Sequence, residues 1–231
     1  MNQAFPVHLP LEEAYSRRVL FGIELLDAAT LSRISEGVKV VADGLTGKPI
    51  VNRSGVFVWL EEDINNLRKV SIDPGNLPYE ELELERAKLN LPPVKPPFTP
   101  IELQPKAGYS FAPGITGLRG TLIEERVNPP APSIPVRNAA VRLQWLDDDN
   151  NWRIAPTTSH TDVKRGDFVS ILRFSAAEVP HLVNGEVTVR LLASRDGGAE
   201  RRSADFKLLQ GRVTDPSAAN TLTFAWDEFQ S

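Results

Sequence analysis

The sequence predicts an all-β fold made of two small β-sandwiches joined by a proline-rich connector. Three observations lead there. Short apolar segments recur along most of the chain, each closed by Gly, Pro, Asn or Asp. Many of the 19 prolines crowd into residues 78–113. A glycine followed at the second position by Phe-Val occurs twice, as Gly55-Val56-Phe57-Val58 and as Gly166-Asp167-Phe168-Val169. The division read from these features is an extended leader at 1–17, a first sandwich at 18–77, a connector at 78–113 and a second sandwich at 114–231.

The first sandwich rests on five segments. "RVLFGIELLD" (Arg18 to Asp27) is rich in large apolar residues and ends at a polar point. "VKVVADG" alternates and stops at the turn pair Asp43-Gly44, and "GLTGKPIV" holds a second turn. "SGVFVWL" is read as a central strand covered on both sides, with Val56, Val58 and Leu60 inside and Phe57 and Trp59 packing on the opposite face or at an interface. Its glycine provides the tight turn or bulge that admits the strand. "LRKVSID" closes the set at Pro74-Gly75.

Within 78–113, "YEELELERAKL" carries good helix formers, although "ELEL" suits a strand equally well. "NLPPVKPPFTP" is expected to lack regular internal structure, because proline has no N–H and a fixed φ. Such a stretch acts as a semi-rigid extended spacer.

The second sandwich opens with "LRGTLIEE" and a proline-rich loop. In "AAVRLQWL", Val141, Leu143 and Trp145 share one face while Arg142 and Gln144 take the other. "DDDNN" turns the chain into "WRIAP", and "GDFVSILRF", "EVTVRLLAS", "ADFKLL" and "TLTFAWDEF" follow.

The bulk numbers exclude several classes. Hydrophobic residues make up 41% and charged residues 24%, enough to bury a core. A net charge of −4, from 26 basic and 30 acidic side chains, gives no electrostatic footprint for nucleic acid. The apolar runs are far shorter than a membrane span. The absence of cysteine points to cytoplasmic synthesis. The first residues, "MNQAFPVHLPLEEAYSRR", lack the basic-then-apolar order of a signal peptide.

Chemistry-bearing residues are sparse. His8, His160 and His181 share no ligand spacing, and no phosphate loop or nucleophile elbow occurs. The expectation is therefore a non-enzyme without a cofactor. Asp147, Asp149 and Asn151 sit at positions 1, 3 and 5 of a calcium-loop pattern and form the metal candidate. Trp152 stands where that loop needs glycine and Thr158 where it needs glutamate, so a polar hairpin turn is the favoured reading. Partner-binding candidates are Phe5, Val7 and Leu9 in the leader, with Trp152 and Trp226. Core packing is the favoured reading for the four tryptophans, Trp59, Trp145, Trp152 and Trp226, with Trp152 the least expected in a core.

The run "VLFGIELLDAATLSRISEGVKVVADG…NRSGVFVWLEE…LRKVSIDP" resembles carboxypeptidase regulatory-like domains, which have a transthyretin-like (prealbumin-like) sandwich of the Ig-like kind. Gly114, Thr116, Leu118, Arg119, Gly120 and Glu124, followed by Val136, Ala139 and Val141, resemble the opening of a second copy. The regulatory-like domain is not catalytic. A leader, one such domain, a joint reading L-x-P-x-x-x-Y-x-F-x-x-G (Leu103 to Gly114) and a second domain are together similar to accessory proteins of phage-tail-like contractile injection systems. That resemblance implies a structural cap, adaptor or baseplate accessory. Its partners would be protein subunits in a symmetric ring, within a particle released by lysis. The alternative is a carbohydrate- or cell-surface-binding module.

Overall fold

The protein is described by a computed structural model that covers residues 18–60, 63–94, 96–126, 133–175, 178–214 and 222–230. It is all-β and of sandwich type, and the strands among the described residues fall into four sheets.

The first strand, β1 (Val19–Asp27), buries Phe21, Ile23, Leu25 and Asp27 on its inner side. It lies between β4 (Phe57–Leu60), antiparallel, and β7 (Phe98–Leu103), parallel, with β3 (Ile50–Val51) outside β4. A second sheet of β2 (Lys39–Asp43), β5 (Lys69–Asp73) and β6 (Leu82–Glu85) is antiparallel throughout. Alternation decides which side is dry. Val40, Ala42, Val70 and Ile72 join Phe21, Ile23, Phe57 and Trp59 in one core, with the Phe21 and Trp59 rings stacked at 4.6 Å.

The β4 strand corrects one detail of the sequence reading. Its core face is Phe57 and Trp59, whereas Val58 and Leu60 are half-buried on the outer side. The larger side chains take the dry face because they bury the most apolar area.

The stretch read as a connector differs more. Residues 78–113 contain β6 and β7, and Tyr79, Leu89, Ile101, Leu103 and Tyr109 are buried in the first core. Proline did not exclude a strand here because β7 ends its sheet, and an edge strand keeps one side free of ladder bonds. Pro100 lies within β7, and the Asn90 side chain donates to the Phe98 carbonyl at 2.7 Å. The "YEELELERAKL" segment resolves into strand β6 and a single 3₁₀ turn at Arg86–Lys88, not an α-helix.

The remaining sheets form the second core. One contains β8 (Thr116–Ile123), β12 (Asp167–Leu172), β17 (Val213–Thr214) and β18 (Thr223–Ala225). The other contains β9 (Ala140–Leu146), β10 (Trp152–Ile154), β11 (Ser159–His160), β13 (Leu182–Val183), β14 (Glu186–Ser194), β15 (Arg201–Arg202) and β16 (Phe206–Leu209). Val141, Leu143 and Trp145 point inward against Val187, Val189, Leu191, Leu118 and Phe168. Ile171 of β12 belongs instead to the first core, so the two cores meet through one strand.

Both glycines of the recurring pattern adopt left-handed backbone, φ +76° at Gly55 and +73° at Gly166, and each precedes a buried phenylalanine by two positions. What a side chain would meet there differs. At Gly55 a Cβ approaches the flexible Arg33 Cδ at 2.9 Å, whereas at Gly166 it falls 2.2 Å from the Leu122 carbonyl oxygen. Both alanine variants should lose at least about 1 kcal/mol from the left-handed conformation. Urea denaturation should rank Gly166→Ala well above Gly55→Ala, because only the former drives a Cβ into backbone. Equal losses would mean that the Leu122 strand yields freely.

Candidate interaction site

The residues that organise the molecule lie where the two cores meet. Asp27 ends β1, and 5% of it is exposed. One carboxylate oxygen accepts the Ala29 and Thr30 N–H groups at 2.6 and 3.2 Å, which bends the chain after the strand. The other accepts the Tyr79 hydroxyl at 3.0 Å and the Tyr109 hydroxyl. Burial, reinforced by the bond to Asp27, pushes the Tyr109 hydroxyl up to about 12 and that of Tyr79 upward as well. Both therefore remain proton donors across the physiological range.

Tyr109 passes this order to the second core. Its carbonyl and that of Ala107 accept the two terminal nitrogens of Arg119, a β8 residue whose guanidinium also lies 5.2 Å from the Phe111 ring centre. Arg173, just beyond β12, donates to the Ala28 carbonyl at 2.9 Å and grips both Glu102 oxygens at 2.7 and 3.0 Å. On another side, the His160 N–H and Nδ1 meet the two Glu80 oxygens at 2.9 and 2.8 Å. A cleft of about 690 Å³ opens beside that pair, and Lys106, Asn138 and Asp162 are among the residues lining it.

The acidic turn is closed on itself. Asp147 accepts the Asp149 and Asn151 N–H groups at 3.0 and 2.7 Å with one oxygen, and Arg153 Nε at 2.7 Å with the other. The Asn151 N–H and the Arg153 guanidinium hold its carboxyl below the usual carboxylate range. Asn150 takes φ +60°, the left-handed conformation asparagine tolerates in a tight hairpin. Asp147 thus spends its oxygens on the β9–β10 turn. Among the described residues, no three His, Cys, Asp or Glu side chains are grouped to hold a metal ion.

Each tryptophan has a defined neighbour. Trp59 and Trp145 are buried, one in each core. Trp152 is half-buried, with the Arg190 guanidinium 3.9 Å from its ring centre. Trp226 is half-buried, with Arg195 at 4.0 Å, Arg201 at 5.1 Å and the Phe229 ring stacked at 5.9 Å. The partner-binding candidates are therefore not brought together: Trp152 and Trp226 sit under arginines, and Phe5, Val7 and Leu9 lie outside the described residues.

Exposed apolar residues occur elsewhere. The two-residue strand β3 ends the first sheet with Ile50 51% and Val51 44% exposed. The two-residue strand β13 ends the order β10–β9–β14–β13, with Leu182 and Val183 each 41% exposed. Ile50-Val51 falls at the end of the "GLTGKPIV" segment read from the sequence, whereas Leu182-Val183 was missed because two residues carry no periodicity. The sequence reading missed Arg119 and Arg173 because an arginine on a strand reads as a solvated face until the opposing carbonyls are in place. Among the described residues, no helix is long and apolar enough to cross a membrane.

Comparison of the chain with family models, with characterised proteins and with solved structures returns no match.

The joint carries a pH dependence. The hydrogen bond to Glu80 raises His160 above its ordinary value of 6.5, against the opposing effect of burial. The contribution of a raised histidine is fully present below the unfolded-state value and is lost as pH climbs through the folded-state value. The melting temperature of the wild type should exceed that of His160→Ala most near pH 6, with the gap narrowing by about pH 8.5. A gap that widens with rising pH would contradict the assignment.

Proposed function

We propose that the chain is a non-catalytic structural adaptor in a multi-subunit protein assembly. The observation that supports this most is the pair of short sheet-ending strands, β3 and β13, which leave both of their apolar side chains in solvent. Free sheet edges are templates for pairing with another chain, and proteins usually blunt them with charge. Here Ile50-Val51 and Leu182-Val183 provide apolar edges instead, one on each core. Backbone carbonyls and the Glu80 and Glu102 carboxylates hold the two cores to each other, so a subunit bound at one edge would be held at a set distance from a subunit bound at the other.

The motif resemblance supplies the finer reading. The assembly would be a phage-tail-like contractile injection particle, with this chain as cap, adaptor or baseplate accessory among subunits in a ring. Head-to-tail contacts between unlike edges generate rings when the rotation closes. Synthesis in the cytoplasm and release by lysis follow from the same reading. The carbohydrate-binding alternative needs an aromatic face open to a sugar ring. Arginine over Trp152 and Trp226 weighs against it.

The test is co-sedimentation with particles formed when the chain is expressed beside its neighbouring gene products. The wild type should sediment with them, and Val51→Lys or Leu182→Lys should be left in the supernatant. Stability should stay within about 0.5 kcal/mol of wild type, as for surface changes. Normal incorporation of both variants would remove the edges from the account. A wild-type chain that stays free and binds a glycan array, with binding lost in Trp152→Ala, would replace it with the surface-binding reading.

A further inference from the structure

A groove of about 640 Å³ opens where β1 and β7 begin. Val19, Pro92, Pro93, Val94, Pro96 and Pro97 line it, and Val19 and Val94 are 46% and 51% exposed. Its chemistry is unusual for a sheet margin. Four of the six are prolines, which have no N–H to offer. The Pro96 carbonyl already accepts the Phe98 N–H at 2.8 Å, and the Pro97 carbonyl accepts the Gly22 N–H at 2.9 Å. Strand addition therefore has little to bond with at these positions, and an occupant must be recognised by apolar contact. The volume falls in the range of about 300–1,000 Å³ typical of binding pockets.

We propose that the groove is the docking site of this chain's own leader, through Phe5, Val7, Leu9 and Leu11. The described chain starts at Arg18, which also borders the groove, so the 17 residues outside the description are tethered at its rim. In "FPVHLPL" the apolar residues alternate with Pro6, His8 and Pro10, so an extended segment presents them on one side. The two prolines disfavour a helix and lower the entropy lost when the segment is held extended. Six residues, Glu12 to Arg17, separate Leu11 from Arg18, and chain reversals commonly need only about 2–5. A short tether gives an effective concentration in the millimolar range, so the chain's own leader outcompetes that of a second copy at micromolar protein.

The leader becomes a strap over the start of the first sheet. The inference needs only the isolated chain and stands or falls separately from the adaptor reading. The test places a photo-crosslinking benzoylphenylalanine at position 5 (Phe5→p-benzoylphenylalanine) in the full-length chain at micromolar concentration. Irradiation and peptide mass spectrometry should find a bond within one chain to residues 92–97. Val94→Asp should reduce that adduct at least tenfold with little change in melting temperature, since Val94 lies at the surface. Leu9→Asp, which alters only the leader, should reduce it equally, so a folding defect in the groove variant would leave the test intact. An adduct elsewhere, a covalent dimer between copies, or an adduct indifferent to both substitutions would overturn the proposal.

Discussion

The Asp27 carboxylate is the point on which the rest of the molecule depends. A buried carboxylate is costly to remove from water unless its oxygens are filled. Asp27 has four donors: two backbone N–H groups that turn the chain after β1, and two tyrosine hydroxyls drawn from positions 79 and 109. Hydrogen bonds to a charged group contribute about 1.5–3 kcal/mol each, more than neutral ones. The larger consequence is positional. The two tyrosines tie positions 79 and 109 to the end of β1, on either side of a stretch whose strands β6 and β7 pair with β5 and β1.

From Tyr109 the constraint crosses to the second core. Arg119 reaches back to the carbonyls of Ala107 and Tyr109, and Arg173 ties the Ala28 carbonyl, one residue past β1, to the Glu102 carboxylate of β7. A surface ion pair between two long side chains would contribute about 0–1 kcal/mol and would leave the cores free to swing. A planar guanidinium forked over two carbonyls fixes both distance and angle. Ile171, placed by β12 in the first core, adds apolar burial to the same boundary.

Much of the fold could be read from the chain. Val141, Leu143 and Trp145 face inward as their alternation requires, and both pattern glycines adopt the conformation only glycine takes readily. The misreading of 78–113 has a physical source. Composition shows that prolines disrupt a ladder, but it does not show that an edge strand needs only one side of that ladder. The long-range partners were equally hidden. Asp27 and Tyr109 are 82 positions apart, and Arg173 and Ala28 are 145 apart. No local pattern encodes such pairs. The tryptophans were visible as anchors, yet the arginines covering Trp152 and Trp226 come from β14 and the segments beside it. The exposed apolar edge at β13 was too short to leave a signal.

The central claim is that this joint makes the two cores respond as a single body. Scanning calorimetry tests it most directly, comparing the wild type with the double variant Arg119→Ala, Arg173→Ala. The account predicts one transition for the wild type, with calorimetric and van't Hoff enthalpies in agreement, and two separated transitions for the variant. Two transitions already present in the wild type, or a variant that still melts as one unit, would contradict it.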